Sequence, residues 1–165
     1  MTTPDARRES YLRKAGDEAV NWYDAQGNWI AETSSPASRE RLWICFALGR
    51  GPAEQRALAN AVVRKLEMKR YEDGHRFDIF TSNIAPILYC THKDDLEADV
   101  SQKLLDLTDE GHHPSPGDRQ CDYQFHGYND NMPAKGTMSL IVGGELVNDE
   151  KSVEQGLWQL KQLQD

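Results

Sequence analysis

The sequence repeats one pattern three times: a segment that is apolar nearly all round, a tight break, and a segment with charge on one face. The apolar segments read WICFALG, IAPILYC and MSLIVGG, and the pairs cover about 39–68, 82–108 and 133–163. This spacing is typical of helical hairpins whose first helix is sandwiched and whose second helix faces water. With a first helix over 5–26, it predicts an all-α fold of about seven helices in a single domain, 1–165. An ordinary irregular helical bundle is the alternative, because any antiparallel helical protein contains hairpins.

Charge and hydropathy exclude some classes of binding partner and some cellular locations. The 165 residues include 19 Lys and Arg against 27 Asp and Glu, a formal net charge of -8, which argues against a nucleic-acid partner. No apolar run approaches about 18 residues, so we expect no membrane-spanning segment. The charged beginning of the sequence has no apolar stretch behind it, which makes the cytoplasm the default expectation. Hydrophobic residues make up only 38%, which indicates a thin core or a surface that needs a partner.

Several residues are expected in the core because they fall at helical spacing. The three cysteines are too few and too widely spaced for a disulfide framework, and Cys45 and Cys90 lie in apolar runs, as small core residues do. Three tryptophans at helical spacing are also expected in the core: Trp22, Trp43 and Trp158. Pro86 is expected within the first turn of its helix, where its missing N–H costs nothing.

The connections between the hairpins are long, and those within them are short. About 15 residues precede Ser82 and about 25 precede Pro133, whereas the breaks inside the pairs span a few residues. Short and long connections then fall on opposite ends of the array, so the long ones gather on one face together with 27–38. Their His, Tyr, Trp, Phe, Asn and Asp content is not that of a disordered segment. We therefore expect the functional site at that face.

The richest of these segments reads CDYQFHGYNDNMP and ends at Pro133. Asn131 or Asp130 could cap the helix that follows, which leaves His126, Tyr128 and Asn129 unexplained. An imidazole and a phenol can act as acid and base, so His126 and Tyr128 are the candidate catalytic residues. Asn129 and Asn131 are candidates for substrate binding, because amides hold a carboxylate or hydroxyl without adding charge, and Asp130 between them is a further candidate.

This set suits a sugar acid, in which the carboxylate is neutralised, the C5 proton is taken and the glycosidic oxygen is eliminated. Hydrolysis by a carboxylate pair drawn from Asp78, Asp122 and Asp130 is the alternative. Further substrate-binding candidates are Trp29, whose ring could stack on a sugar, and Asn83 with His75 from the second long segment.

No cofactor and no metal site are predicted. His112, His113, Cys121, Asp122 and His126 include potential ligands, but no pair has a recognised metal-binding spacing on a helix. A P-loop, another glycine-rich phosphate loop and a nucleophile elbow are not found in the sequence. Gly143 and Gly144 fall within a helical run, where they indicate close helix packing.

The hairpins, with FHGYNDNMP entering the apolar GTMSLIVGGELV, resemble the (α/α) toroid proteins over about 40–165. These are the six-hairpin glycosidases and the toroid-type polysaccharide lyases of the heparinase and alginate-lyase kind. The resemblance implies a cleft lined by the inner helices that binds and cleaves an oligo- or polysaccharide. By that analogy His126 and Tyr128 are the acid and base, and Asn129 and Asn131 hold the sugar.

The chain supplies about half of a complete toroid, so the resemblance also implies a homodimer or a missing remainder of the ring. Two alternatives to a polysaccharide lyase or glycoside hydrolase stay open. One is a non-catalytic helical-repeat module that binds a protein, and the other is an inactive fragment of a longer toroid enzyme.

Overall fold

The computed structural model describes residues 3–67, 79–112 and 131–164, and every regular element within them is helical. This confirms the all-α fold of about seven helices. The sixth helix is continuous and consists of an α-helical, a π-helical and a second α-helical segment. The helices are α1 (Pro4–Ala19), α2 (Ser38–Leu48), α3 (Ala53–Arg64), α4 (Ile79–His92), α5 (Ala98–His112), α6 (Asn131–Met138, Ser139–Gly143, Gly144–Val147) and α7 (Glu150–Gln164).

The contacts divide the chain into two compact units. The first comprises residues up to Glu67 together with Leu88–Leu104, so it holds α1, α2, α3, the end of α4 and the start of α5. The second comprises Met68–Ile87 and Leu105–Asp165, and of the described residues it holds the start of α4, the end of α5, α6 and α7.

In the first unit, α2 and α3 form a hairpin across the Gly49–Pro52 break, and α1 packs against α2. Apolar side chains from α2, α3, α4 and α5 bury one another, as the sequence pattern predicts. The core residues that are at most 1% exposed include Leu42, Leu48, Val62, Val63, Leu88, Val100 and Leu104. Two polar contacts link α3 to the α4–α5 connection and the start of α5: Arg64 Nε donates to Asp99 Oδ2 at 2.6 Å, and Asn60 Oδ1 accepts from the Glu97 N–H at 3.4 Å.

The first helix is shorter than the predicted 5–26, because α1 ends at Ala19. A tight turn follows, in which the Asp24 carboxylate accepts hydrogen bonds of 2.9 Å from the backbone N–H groups of Gln26 and Asn28. Gly27 adopts a φ of 77°, a conformation that glycine accepts readily, and Tyr23 pairs with Trp29 through a single β-bridge. The carboxylate thus competes with the helix for the backbone N–H groups.

In the second unit, α6 and α7 form a hairpin whose turn contains Asn148, in the left-handed conformation with φ 58°. Asp149 then caps α7, accepting at Oδ2 from the Ser152 hydroxyl at 2.7 Å. Two glycines bring the helices close together. A Cβ added to Gly156 would lie 2.6 Å from Ile141 Cγ1, and one added to Gly144 would lie 2.9 Å from Val153 Cγ2. The close packing predicted at Gly144 is therefore present.

Three expectations about individual positions are wrong. Trp43 and Trp158 are exposed, at 50% and 60%, and Trp22 is only half-buried, so none of the three tryptophans is a fully buried core residue. Cys90 is exposed, whereas Cys45 is fully buried as predicted. Pro86 lies inside α4 and not in its first turn, because the helix begins at Ile79 and not near Ser82. For Trp43, Cys90 and Trp158, periodicity identified a helix but not which of its faces is covered, whereas Trp22 and Pro86 depend on where a helix ends or begins.

We predict that Gly156→Ala lowers the stability of the protein. Alanine in a helix normally gains up to about 1 kcal/mol over glycine, but here the new methyl group would collide with Ile141, and overpacking costs about 1–3 kcal/mol. Urea unfolding followed by circular dichroism would measure the change, with the exposed Glu145→Ala on α6 as the control. A Gly156→Ala protein as stable as the wild type would contradict the close approach.

Candidate functional site

Trp29, a candidate for sugar stacking, lies in the turn after α1 in the first unit and is half-buried. Its indole Nε1 donates to the Thr33 carbonyl at 2.7 Å, and its ring meets Tyr23 edge-on with centroids 5.2 Å apart. The Arg41 guanidinium lies 5.9 Å from the centre of the Tyr23 ring. These contacts hold the Trp29 ring in one orientation, and its remaining exposed surface is what a ligand could use.

Asn83, another candidate for substrate binding, lies on α4 in the second unit and is 7% exposed. Its amide Nδ2 donates to Ser139 Oγ at 2.8 Å. Ser139 is itself buried and is the first residue of the π-helical segment of α6. In the described structure Asn83 therefore links two helices, because a buried amide must have hydrogen-bond partners.

The other predicted site residues are not described in the same detail. His75, His126, Tyr128, Asn129 and Asp130 lie outside the described residues. Asn131 is the first residue of α6, and its side chain is also outside them. Along the chain, the candidate cluster therefore leads directly into the N-terminus of α6. The positive end of a helix dipole at that point favours a negatively charged group.

His92, a buried histidine that was not among the predicted site residues, is the last residue of α4 and is 7% exposed. Its ring lies edge-on to Phe46 with centroids 5.4 Å apart and packs on Gly49, where an added Cβ would come within 3.0 Å of the ring atoms. Its Nε2 is buried, and among the described residues it has no hydrogen-bond partner. A single histidine at a helix end carries no periodic signal, so only the structure could identify it.

Burial lowers the pKa of the His92 imidazole below its ordinary value of 6.5. A hydrogen bond to the Phe46 backbone and the carboxylate of Asp95 oppose this, while the positive charge of Arg50 adds to it. His92 is therefore held neutral in the folded protein near neutral pH.

A small cavity adjoins His92 in the first unit. It is also lined by Cys45, Arg56, Asn60 and Asp95, and the space open to the centre of a water molecule is about 10 Å³, enough for roughly one water. Arg56 Nε lies 3.3 Å from Asp95 Oδ1, so the two charges at its edge balance each other. The cavity is too small for a sugar or any other organic ligand.

Cys45, beside this cavity, is not suited to nucleophilic chemistry. Burial raises the pKa of its thiol to about 12, and its Sγ donates to the Ala59 carbonyl at 3.7 Å. Within the described residues, no group of three or more His, Cys, Asp and Glu side chains is placed to hold a metal ion. Among the same residues, no helix combines the length and apolar character needed to cross a membrane.

Comparisons with protein-family models, with curated proteins and with solved structures give no match to this chain. The function is therefore inferred from the chemistry of the chain's own residues. The described structure contributes the helix pairs, the start of α6 at Asn131 and the surroundings of Trp29 and Asn83.

We predict that stability falls as the pH drops below 6.5 and that His92→Gln reduces this loss. Because the folded state lowers the pKa of His92, the unfolded chain binds the proton more tightly. The contribution of neutral His92 to the free energy of unfolding is therefore complete above pH 6.5 and is lost as the pH falls below it. Urea midpoints measured on both sides of pH 6.5 would show it. Asp24→Asn is the control, since that carboxyl has a pKa lowered from 3.8 and does not titrate in this range. Equal pH dependence in wild type and His92→Gln would contradict the assignment.

Proposed function

We propose that the chain is a carbohydrate-active protein that acts on a polysaccharide at the segment leading into α6. The observation that carries the proposal is the set His126, Tyr128, Asn129, Asp130 and Asn131, which combines an acid, a base and amides immediately before the first turn of a helix. The alternation of helix pairs with long connections supports it, as does the resemblance to (α/α) toroid proteins.

The chemistry that fits this set best is β-elimination from a uronate-containing polymer. Asn129 and Asn131 neutralise the sugar carboxylate by hydrogen bonding, helped by the positive end of the α6 dipole. Tyr128 or His126 takes the C5 proton, and the other donates a proton to the departing glycosidic oxygen. The C4–O bond breaks as the C4–C5 double bond forms, so the new chain end absorbs ultraviolet light.

Hydrolysis remains the competing reaction of the same site. It needs two carboxyl groups facing each other across the glycosidic bond, and Asp78, Asp122 and Asp130 are the candidates. Its products carry no new double bond. Ultraviolet absorbance and reducing-end formation, measured together, therefore distinguish the two reactions.

We predict that His126→Ala and Tyr128→Phe each reduce turnover of uronate polymers by about 10²–10⁴-fold, the usual contribution of a general acid or base. Formation of the unsaturated product would be followed by ultraviolet absorbance. The matched controls are His113→Ala, which lies outside the cluster, and Tyr11→Phe on α1, where the tyrosine is 75% exposed. Wild-type activity in both cluster variants would overturn the proposed roles, and wild-type protein inactive on every uronate polymer would overturn elimination.

A second candidate function, a non-catalytic helical module that binds a protein, is favoured by one observation. Large apolar side chains of α7 face solvent, with Leu157 53% and Trp158 60% exposed. Exposed apolar groups that lie together mark protein-binding surfaces more often than isolated ones do. This function and glycan binding do not exclude each other, because they involve different residues.

A further inference from the structure

The two faces of α7 differ in an unusual way. The buried face carries Ser152, Gly156 and Gln159, which are small or polar, and Gln159 accepts a hydrogen bond of 3.2 Å from the Thr137 hydroxyl. The large apolar side chains Leu157 and Trp158 lie on the opposite, exposed face. An amphipathic helix normally buries its large apolar side chains, so this arrangement leaves a surface that gains free energy when it is covered.

The charges that flank Leu157 and Trp158 on the exposed face are ordered along the helix, and the exposed Lys151 lies just beside that face. We define the outer face of α7 as Glu150, Glu154, Leu157, Trp158 and Lys161, all of which are exposed. These positions fall within one side of a helix that turns about 100° per residue. The carboxylates lie on the N-terminal side of the apolar pair, and the ammonium group lies on its C-terminal side.

This order makes the outer face complementary to itself. Glu154 and Lys161 each lie 3.5 residues from the midpoint between Leu157 and Trp158, or about 5 Å along the axis at about 1.5 Å per residue. A two-fold axis through that midpoint places Leu157 of one copy against Trp158 of the other, and Glu154 of one copy against Lys161 of the other. Each of these pairs occurs twice, once on each side of the axis. A parallel arrangement would set like charges side by side. The pattern therefore fits an antiparallel pair of α7 helices, with the two helix dipoles also opposed.

We propose that the outer face of α7 is the contact surface of a homodimer, in which a second copy packs antiparallel through the same residues. The proposal rests on the second candidate function, protein binding, and names a second copy of this chain as the partner. It is independent of the glycan chemistry. One helix face buries an area at the low end of specific interfaces, so the dissociation constant is expected in the micromolar to millimolar range.

Sedimentation equilibrium of the full chain over that concentration range tests the proposal. We expect a monomer–dimer equilibrium that Glu154→Lys and Lys161→Glu each weaken at least about tenfold, because two-fold symmetry makes each charge reversal act twice. The double variant Glu154→Lys/Lys161→Glu restores the opposite charges and is expected to restore dimerisation. Exchanging the exposed pair Lys14 and Glu18 on α1 is the matched control and is expected to change nothing.

Three results would overturn the proposal: a monomer at every concentration, a dimer that neither single charge reversal weakens, or a double variant that dimerises as weakly as the single variants. Circular dichroism of each variant would check that the fold is retained. We expect it to be, because these side chains are exposed. A monomer whose outer-face variants lose binding to a different purified protein would reject the homodimer but keep the protein-binding function. Activity on uronate polymers, assayed with the same variants, tests the glycan function separately.

Discussion

The close approach of Gly156 to α6 determines how α7 packs against that helix. With no side chain at that position, the α7 backbone lies against Leu140 and Ile141, and the residues one turn away on the same face must also be small or hydrogen-bonded. Ser152 and Gln159 meet that requirement, through Asp149 and Thr137 respectively. This face is the one that packs, and the large apolar side chains of Leu157 and Trp158 lie on the other side.

Both units combine apolar burial with polar contacts. The first buries branched apolar side chains from four helices and places its charges at the edges, where Arg64 bonds to Asp99. The second buries Leu107 and Leu140 together with polar pairs such as Asn83–Ser139. Buried polar pairs add little net free energy, but leaving either partner alone costs about 1–3 kcal/mol, so they disfavour other helix registers. This explains how a chain with 38% hydrophobic residues specifies its helix pairs.

Local sequence patterns predicted the helices better than they predicted which surfaces are buried. The breaks at Gly49–Pro52 and at Asn148 and Asp149 contain residues that end helices whatever surrounds them, so the hairpins could be placed. Trp43 and Trp158 lie at helical spacing, but spacing cannot tell which of two stripes meets a neighbour. Asn83 shows the same limit at the candidate site, because its partner Ser139 is 56 positions away and no local pattern connects them.

The candidate glycan residues and the outer face of α7 differ in what they need from water: the first are polar groups to be shielded from it, and the second carries apolar groups exposed to it. A site for a sugar acid needs polar groups that are partly free of water before the ligand arrives, and the segment from His126 to Asn131 can supply them only if its backbone is held in place by its neighbours. The outer face carries two large apolar side chains in water, and each gains up to about 1.5–3 kcal/mol when it is fully covered. Covering that face would stabilise α7, and through Gly156 it would stabilise α6, the helix that begins where the candidate cluster ends. Association through the outer face would therefore be linked to the stability of α6, while the glycan chemistry itself depends on other residues.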